Sequence, residues 1–291
     1  PIDSLEYHKR LSESDFEVKI KPAFRPDKAM EVASAATFIA YVKKLESVTN
    51  LSVSSFEDYL FALQNRHDFF ASMGCAVSDY GLEEIYVEDF TGQEIETIFS
   101  KVYGGKELNL LEQRKFKSCM LLHFAEWDWE KGWIQQYHLG ALRNNNSRMM
   151  RLLGADTGWD SIAQEQFLRP IIKKFKEFGI RVSLFMDTNE AMIRKAKEIG
   201  ADRIEFYTGQ YFKDYPKDKH AAISKFISAN KVALECDLVV NAGHDLNLDN
   251  LGFFKQNLPE LAEVSIGHWL ISDCLYYGLQ NVIPMYKRLL K

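Results

Sequence analysis

Apolar positions along this chain follow two periods that alternate. In the C-terminal part, four short runs, Arg181–Asp187, Arg203–Gly209, Asp237–His244 and Glu263–His268, are rich in β-branched and aromatic residues. They are too short for buried helices, so each is predicted as a strand. Between the first two, Ala191, Met192, Ala196 and Ile199 fall at helical spacing with Lys and Glu on the other face, which predicts an amphipathic helix over 189–199. The N-terminal part alternates in the same way. Strand candidates lie at Glu17–Lys28, Gly74–Leu82 and Trp133–Asn146, and helical ones at Ser54–Met73, Gly92–Tyr103 and Leu110–Lys131. In the last helix Leu111, Phe116, Cys119, Met120 and Phe124 recur at helical intervals, and Gly132 ends the run.

Strands alternating with helices predict an α/β protein of parallel β/α units, the (β/α)₈ TIM-barrel-like class, which keeps its chemistry at the C-terminal ends of its strands. Three strand candidates before residue 163 and four after it make seven, against the eight of a closed barrel. The alternatives left open are a non-standard strand from the N-terminal segment, a seven-strand or gapped barrel, and closure through a partner chain. At the last strand, Gly267 precedes His268 and opens directly into a helix over 269–278. Backbone N–H groups at such a helix start stabilise an anion. The competing reading is that Gly243 and Gly267 serve only as tight turns and that His244 and His268 are ordinary hydrogen-bonded residues.

Residues 165–291 resemble pyridoxine 5′-phosphate synthase. The similarity is carried in order by Ile180–Asp187, Ile204–Gly209, Val240–His244, Val264–Ile271 and the closing Met285–Leu290. It implies a catalytic acid at His244, a charge-stabilising carboxylate at Glu205 and phosphate contacts through Gly243, Gly267 and His268. Trp269 and Pro284 depart from the small or polar residues expected there. Residues 1–162 resemble uronate isomerase of the amidohydrolase superfamily, a barrel that interconverts hexuronates and keto-uronates. That similarity rests on Pro1–Glu6, Phe24–Lys28, Gln135–Asn146 and Leu153–Ile162, and covers roughly the middle third of the family's length. It places Arg25, His138 and Arg143 as remnants of a sugar pocket. Tyr80 stands where a His is expected after Ser78-Asp79.

The resemblance also implies a metal site built from a His-x-His pair and an Asp-x-Arg, and this chain has no His-x-His. The seven histidines, His8, His67, His123, His138, His220, His244 and His268, lack metal-motif spacing, so no metal or other cofactor is expected. The synthase's early bases also lie before the point where its similarity begins. The chain is therefore expected to be two half-barrels, 1–162 and 163–291, together forming one barrel and joined in the opening of a helix near 159–169. As a hybrid it is expected to lack either parental activity, to keep Glu205 and His244 as vestiges, and to retain a phosphate-binding corner. The alternatives are residual synthase-type or isomerase-type catalysis, with Asp79, Tyr80 and His138 as substitute bases, or a purely structural protein.

Composition narrows the setting. At 291 residues and 46% hydrophobic the chain can bury a substantial core, and a net charge of −5 argues against nucleic-acid binding. No run approaches a membrane span and no signal segment is evident. Cys75, Cys119, Cys236 and Cys274 are widely spaced in apolar contexts, which fits thiols of a reducing, cytoplasmic setting better than disulfides or metal ligands. The partners expected are phosphate or a phosphorylated small molecule, and self-association.

Overall fold

The structure is a computed structural model that describes residues 1–142 and 168–291, with positions 148, 151, 152, 161 and 162 between them. It divides into two compact units, Pro1–Asp15 with Lys19–Phe167, and Phe16–Val18 with Leu168–Lys291.

The first unit runs through α1 (Glu6–Ser12), a 3₁₀ turn (Asp27–Ala29), α2 (Ala35–Thr49), α3 (Phe56–Ser72), β1 (Val77–Leu82), α4 (Gly92–Tyr103), α5 (Leu110–Glu130), β2 (Ile134–Leu139), β3 (Ala141–Leu142) and β4 (Ser161–Ile162). Strands β1 and β2 pair in parallel from Val77↔Ile134 to Leu82↔Leu139, with α4 and α5 as the crossover. The strand expected over 17–28 shrinks to one bridge, in which Phe24 pairs with Ser78. Phe24 N–H donates to Val77 O at 3.0 Å and Asp79 N–H to Phe24 O at 2.9 Å. The reason is visible in the sequence: Pro22 and Pro26 flank Phe24 and have no N–H to give a ladder.

Local signals fix the helix starts. Ser55 with Asp58, Thr91 with Glu94 and Asn109 with Glu112 each exchange side-chain and backbone hydrogen bonds at the first turns of α3, α4 and α5. Gly132, at φ +67°, follows α5 in the left-handed region that ends helices. Helix α5 buries Phe116, Cys119, Met120 and Phe124 as expected, but Leu111 is exposed. The core of this unit is aromatic. Phe24, Phe38, Tyr59, Phe99, Phe116 and Phe124 are fully buried, and rings such as Phe38 and Phe116 meet edge to face at 5.8 Å.

The second unit comprises α6 (Arg169–Glu177), β5 (Ser183–Met186), α7 (Glu190–Glu198), β6 (Arg203–Tyr207), α8 (Gly209–Asp214), α9 (Lys219–Glu235), β7 (Val239–His244), α10 (Leu251–Asn257), β8 (Glu263–Ile266), α11 (His268–Tyr277) and α12 (Leu279–Leu289). The four strands form one parallel sheet in sequence order, the β/α repetition expected from the sequence. Phe206, Tyr211, Phe226 and Phe254 pack beside it. On α7 the apolar stripe is phased on Ile193 and Ala196, so Ala191 and Met192 face solvent and not the core.

Most of the helix opening expected near 159–169 lies outside the described residues. Ser161–Ile162 pair antiparallel with Ala141–Leu142, and α6 starts only at Arg169, with Pro170 in its first turn. Arg143 also lies outside the described residues. All four cysteines are free thiols, Cys75 and Cys119 buried and the other two half-buried. Among the described residues no helix is long and apolar enough to cross a membrane.

Candidate functional site

Because strand side chains alternate, β1 presents Asp79 on one face and Ser78 and Tyr80 on the other. The Asp79 face gathers the charged groups. Asp79 Oδ1 lies 3.0 Å from His138 Nδ1 of β2, and Asp79 Oδ2 lies 3.3 Å from the Arg25 guanidinium. Arg25 Nε also donates to Asp27 Oδ2 at 2.9 Å, and Asp27 accepts the Gly81 N–H. The Phe24 bridge places Arg25 here, since it delivers the next residue to the edge of β1. The His138 and Arg25 side chains are 43% and 46% exposed while Asp79 is at 20%, so the cluster opens to solvent on its cationic side. The bond to Asp79 raises the His138 pKa above its ordinary value, against a smaller opposing effect of burial.

Two of the three residues expected in a sugar pocket, Arg25 and His138, are thus brought together by Asp79. Tyr80 is a different case from the one expected. It is fully buried, stacked on Tyr137 at 4.7 Å, with its hydroxyl 3.3 Å from Asp128, and burial holds its phenol protonated, so it cannot serve as a surface base. Asp27 and Asp128 were not identified from the sequence. Asp128 left one signal, a carboxylate set between Trp127 and Trp129 of a helix.

Among the described residues no group of three or more His, Cys, Asp or Glu could hold a metal ion. Asp79 and His138 are only two donors, already engaged with each other and with a guanidinium that repels a cation. Among the described residues this set does not fit a resident metal.

In the second unit Glu205 and His244 lie on neighbouring strands, with His244 Nδ1 3.9 Å from Glu205 Oε1. His244 ends β7 at φ +85°, a strained backbone for a residue with a side chain. Its ring lies 4.7 Å from Phe185 and 5.9 Å from Tyr207. Gly243 faces the Glu205 carboxylate, which occupies the space a Cβ would need, and its carbonyl accepts from Thr208 Oγ1 at 2.5 Å. The register sets Ile266 opposite His244, so Gly267 and His268 follow at the adjacent strand end. Gly267 has open space around it, and the first turn of α11 has no side-chain cap. The Trp269 ring packs 5.1 Å from Phe212.

Residues 1–187 match the sequence model of a family described as glucuronate isomerase, and residues 150–291 that of the pyridoxal phosphate biosynthesis protein PdxJ. Over 164 residues the chain is 58% identical to the uronate isomerase of Bacteroides thetaiotaomicron, a stretch that is 56% of this chain and 35% of that protein. For the uronate isomerase of Cellvibrio japonicus the values are 42% over 174 residues, 60% and 37%. The chain spans about a third of the length of these relatives. Among solved structures, uronate isomerase from Thermotoga maritima aligns at TM-score 0.68 and 21% identity, over 100% of this chain and 63% of that one. Glucuronate isomerase from Caulobacter crescentus aligns at 0.59 and 18%, over 99% and 56%. At such identities the likeness establishes the fold, an α/β protein of the (β/α)-barrel kind. The expectation of a hybrid lacking either activity and keeping only a phosphate corner is overturned by the 58% identity to a uronate isomerase, which allies the chain to isomerases.

Proposed function

The chain belongs to the glucuronate isomerase family, and on that premise we propose that it acts on a hexuronate as an aldose–ketose isomerase, with Arg25, Asp79 and His138 facing the sugar. The observation that carries this reading is the 3.0 Å contact between Asp79 and His138 in the part of the chain that matches the family. Arg25, held by Asp27 and Asp79, supplies a fixed positive charge for the sugar carboxylate.

Isomerisation moves one hydrogen from C2 to C1. Asp79 takes the C2 proton as the C–H electron pair forms the C1–C2 double bond, and the His138 imidazolium gives a proton to O1. In the resulting enediol, O2–H returns a proton to His138 while Asp79 delivers its proton to C1, leaving the ketose and both residues as they began. The raised pKa of His138 favours the charged form that the first step consumes.

The PdxJ match of residues 150–291 supports a second element of the proposal, that the chain joins an isomerase-type part to a synthase-type part in which Glu205 and His244 are the corresponding pair. The test is proton NMR of glucuronate incubated with the chain. Conversion to the ketose that is abolished in Asp79→Asn is the result expected. No conversion, together with His138 ring signals unmoved by glucuronate, would overturn the isomerase reading.

A further inference from the structure

We propose that Asp128 is a positioning residue for the Asp79–His138 pair, fixing β1 and β2 from their opposite face through Ser78, Tyr80 and Gln135. The inference rests on the reading of that pair as the proton-handling one. Asp128, on α5, is 1% exposed and lies behind the two strands. Its Oδ2 accepts from Ser78 Oγ at 2.5 Å, Gln135 Nε2 at 2.8 Å and Tyr80 OH at 3.3 Å, and its Oδ1 lies 2.8 Å from Nε2 of the fully buried His67.

The placement of these donors is informative. Ser78 and Tyr80 are the neighbours of Asp79 on either side, so tying both of them inward holds the Asp79 side chain outward. Ser78 and Gln135 are register partners, so one carboxylate oxygen bridges the two strands at a fixed pairing. A slip by one residue would turn His138 to the buried face, and the Asp128 bridge would have to break to permit it. His67 is held in turn, its ring 4.1 Å from Trp133 and 5.2 Å from Phe24. Apolar side chains could fill this space without the cost of burying a carboxylate. What they could not supply is a directional tie to three strand residues around one site.

Ser78→Ala in the full chain is the decisive variant, because it removes one donor and changes no charge. The readout is the titration midpoint of the His138 ring by NMR, with Asp79, Arg25 and the Tyr80 backbone as the groups that set it. The midpoint is expected to fall toward that of Asp79→Asn, and glucuronate turnover to lose kcat with KM little changed. Asp128→Asn is expected to do the same, more strongly. If Ser78→Ala does not fold, Gln135→Met asks the same question from β2. A folded Ser78→Ala or Gln135→Met with reduced melting temperature and an unmoved midpoint would make the Asp128 network structural only, and overturn the proposal. A lowered midpoint without any turnover in the parent chain would uphold the positioning role and sink the isomerase reading instead.

Discussion

His138 reaches Asp79 on a diagonal, not across a rung. The register sets Asp79 opposite Gln136 and His138 opposite Gly81, yet His138 Nδ1 and Asp79 Oδ1 are 3.0 Å apart. Gly81 presents no side chain at the facing position, so the imidazole can lean along the sheet toward the carboxylate. Opposite charges in such a diagonal pair couple the ionisation of one to the other.

Because Asp79 raises the His138 pKa in the folded chain, the pair stabilises the fold most when the ring is protonated. That contribution is fully present below the unfolded value of about 6.5 and is lost as pH rises through the higher folded value. The melting temperature of the parent chain should therefore exceed that of His138→Gln by more at pH 5.5 than at pH 8.5. A gap that widened with rising pH would contradict the assignment.

The proposed roles separate in kinetics. Arg25→Met removes a charge that serves binding of the sugar carboxylate in ground and transition states alike, so KM for glucuronate should rise while kcat changes little. His138→Gln removes proton transfer and should lower kcat by roughly 10²–10⁴-fold. Arg25→Lys keeps the charge but loses the fork that Asp27 and Asp79 hold, and should fall between Arg25→Met and the parent chain in KM. Steady-state rates on glucuronate check all three.

The sequence made the β/α alternation readable because periods of two and of nearly four residues are local properties, written out within each element. It could not show how many residues around Phe24 would join a sheet, although Pro22 and Pro26 marked the limit on both sides. Arg25 and His138 were found by family likeness alone. Asp79 links them only because its face of β1 meets both His138 of β2 and the residue that follows the Phe24 bridge, positions far apart along the chain, a relation that no window along it contains. Tyr80 illustrates the converse. Its type suits proton transfer, but whether the odd or even residues of β1 face inward is decided by packing against α5, and that put its hydroxyl on Asp128.

In the second unit, Gly243 is required by its neighbour. A Cβ there would meet the Glu205 carboxylate and come within 3.1 Å of Ser265 O. Gly243→Ala should displace Glu205 and destabilise the chain by about 1–3 kcal/mol, the usual cost of forcing an atom into a packed site. Gly267→Ala, with open space around the Cβ, should cost little by comparison. Denaturant midpoints of the two variants decide the order, and equal losses would show that the Gly243–Glu205 contact is not what constrains the position.

The cysteines offer a probe of how α5 opens. Cys119 is buried on that helix, and burial, with a lesser effect of Glu126, pushes its thiol up to about 12. Only about 10⁻⁴ of it is then thiolate at pH 8, and the reagent cannot reach it without local opening. Cys236 is half-buried, beside the Arg194 guanidinium at 3.8 Å. A thiol reagent should label Cys236 in the native chain at pH 8 and leave Cys119 untouched until denaturant opens α5, which also carries Asp128. Peptide mass spectrometry across a denaturant series gives both rates. Labelling of Cys119 in the native chain as fast as Cys236 would show that α5 is not held down by the core, and with it would go the rigid support argued for Asp128.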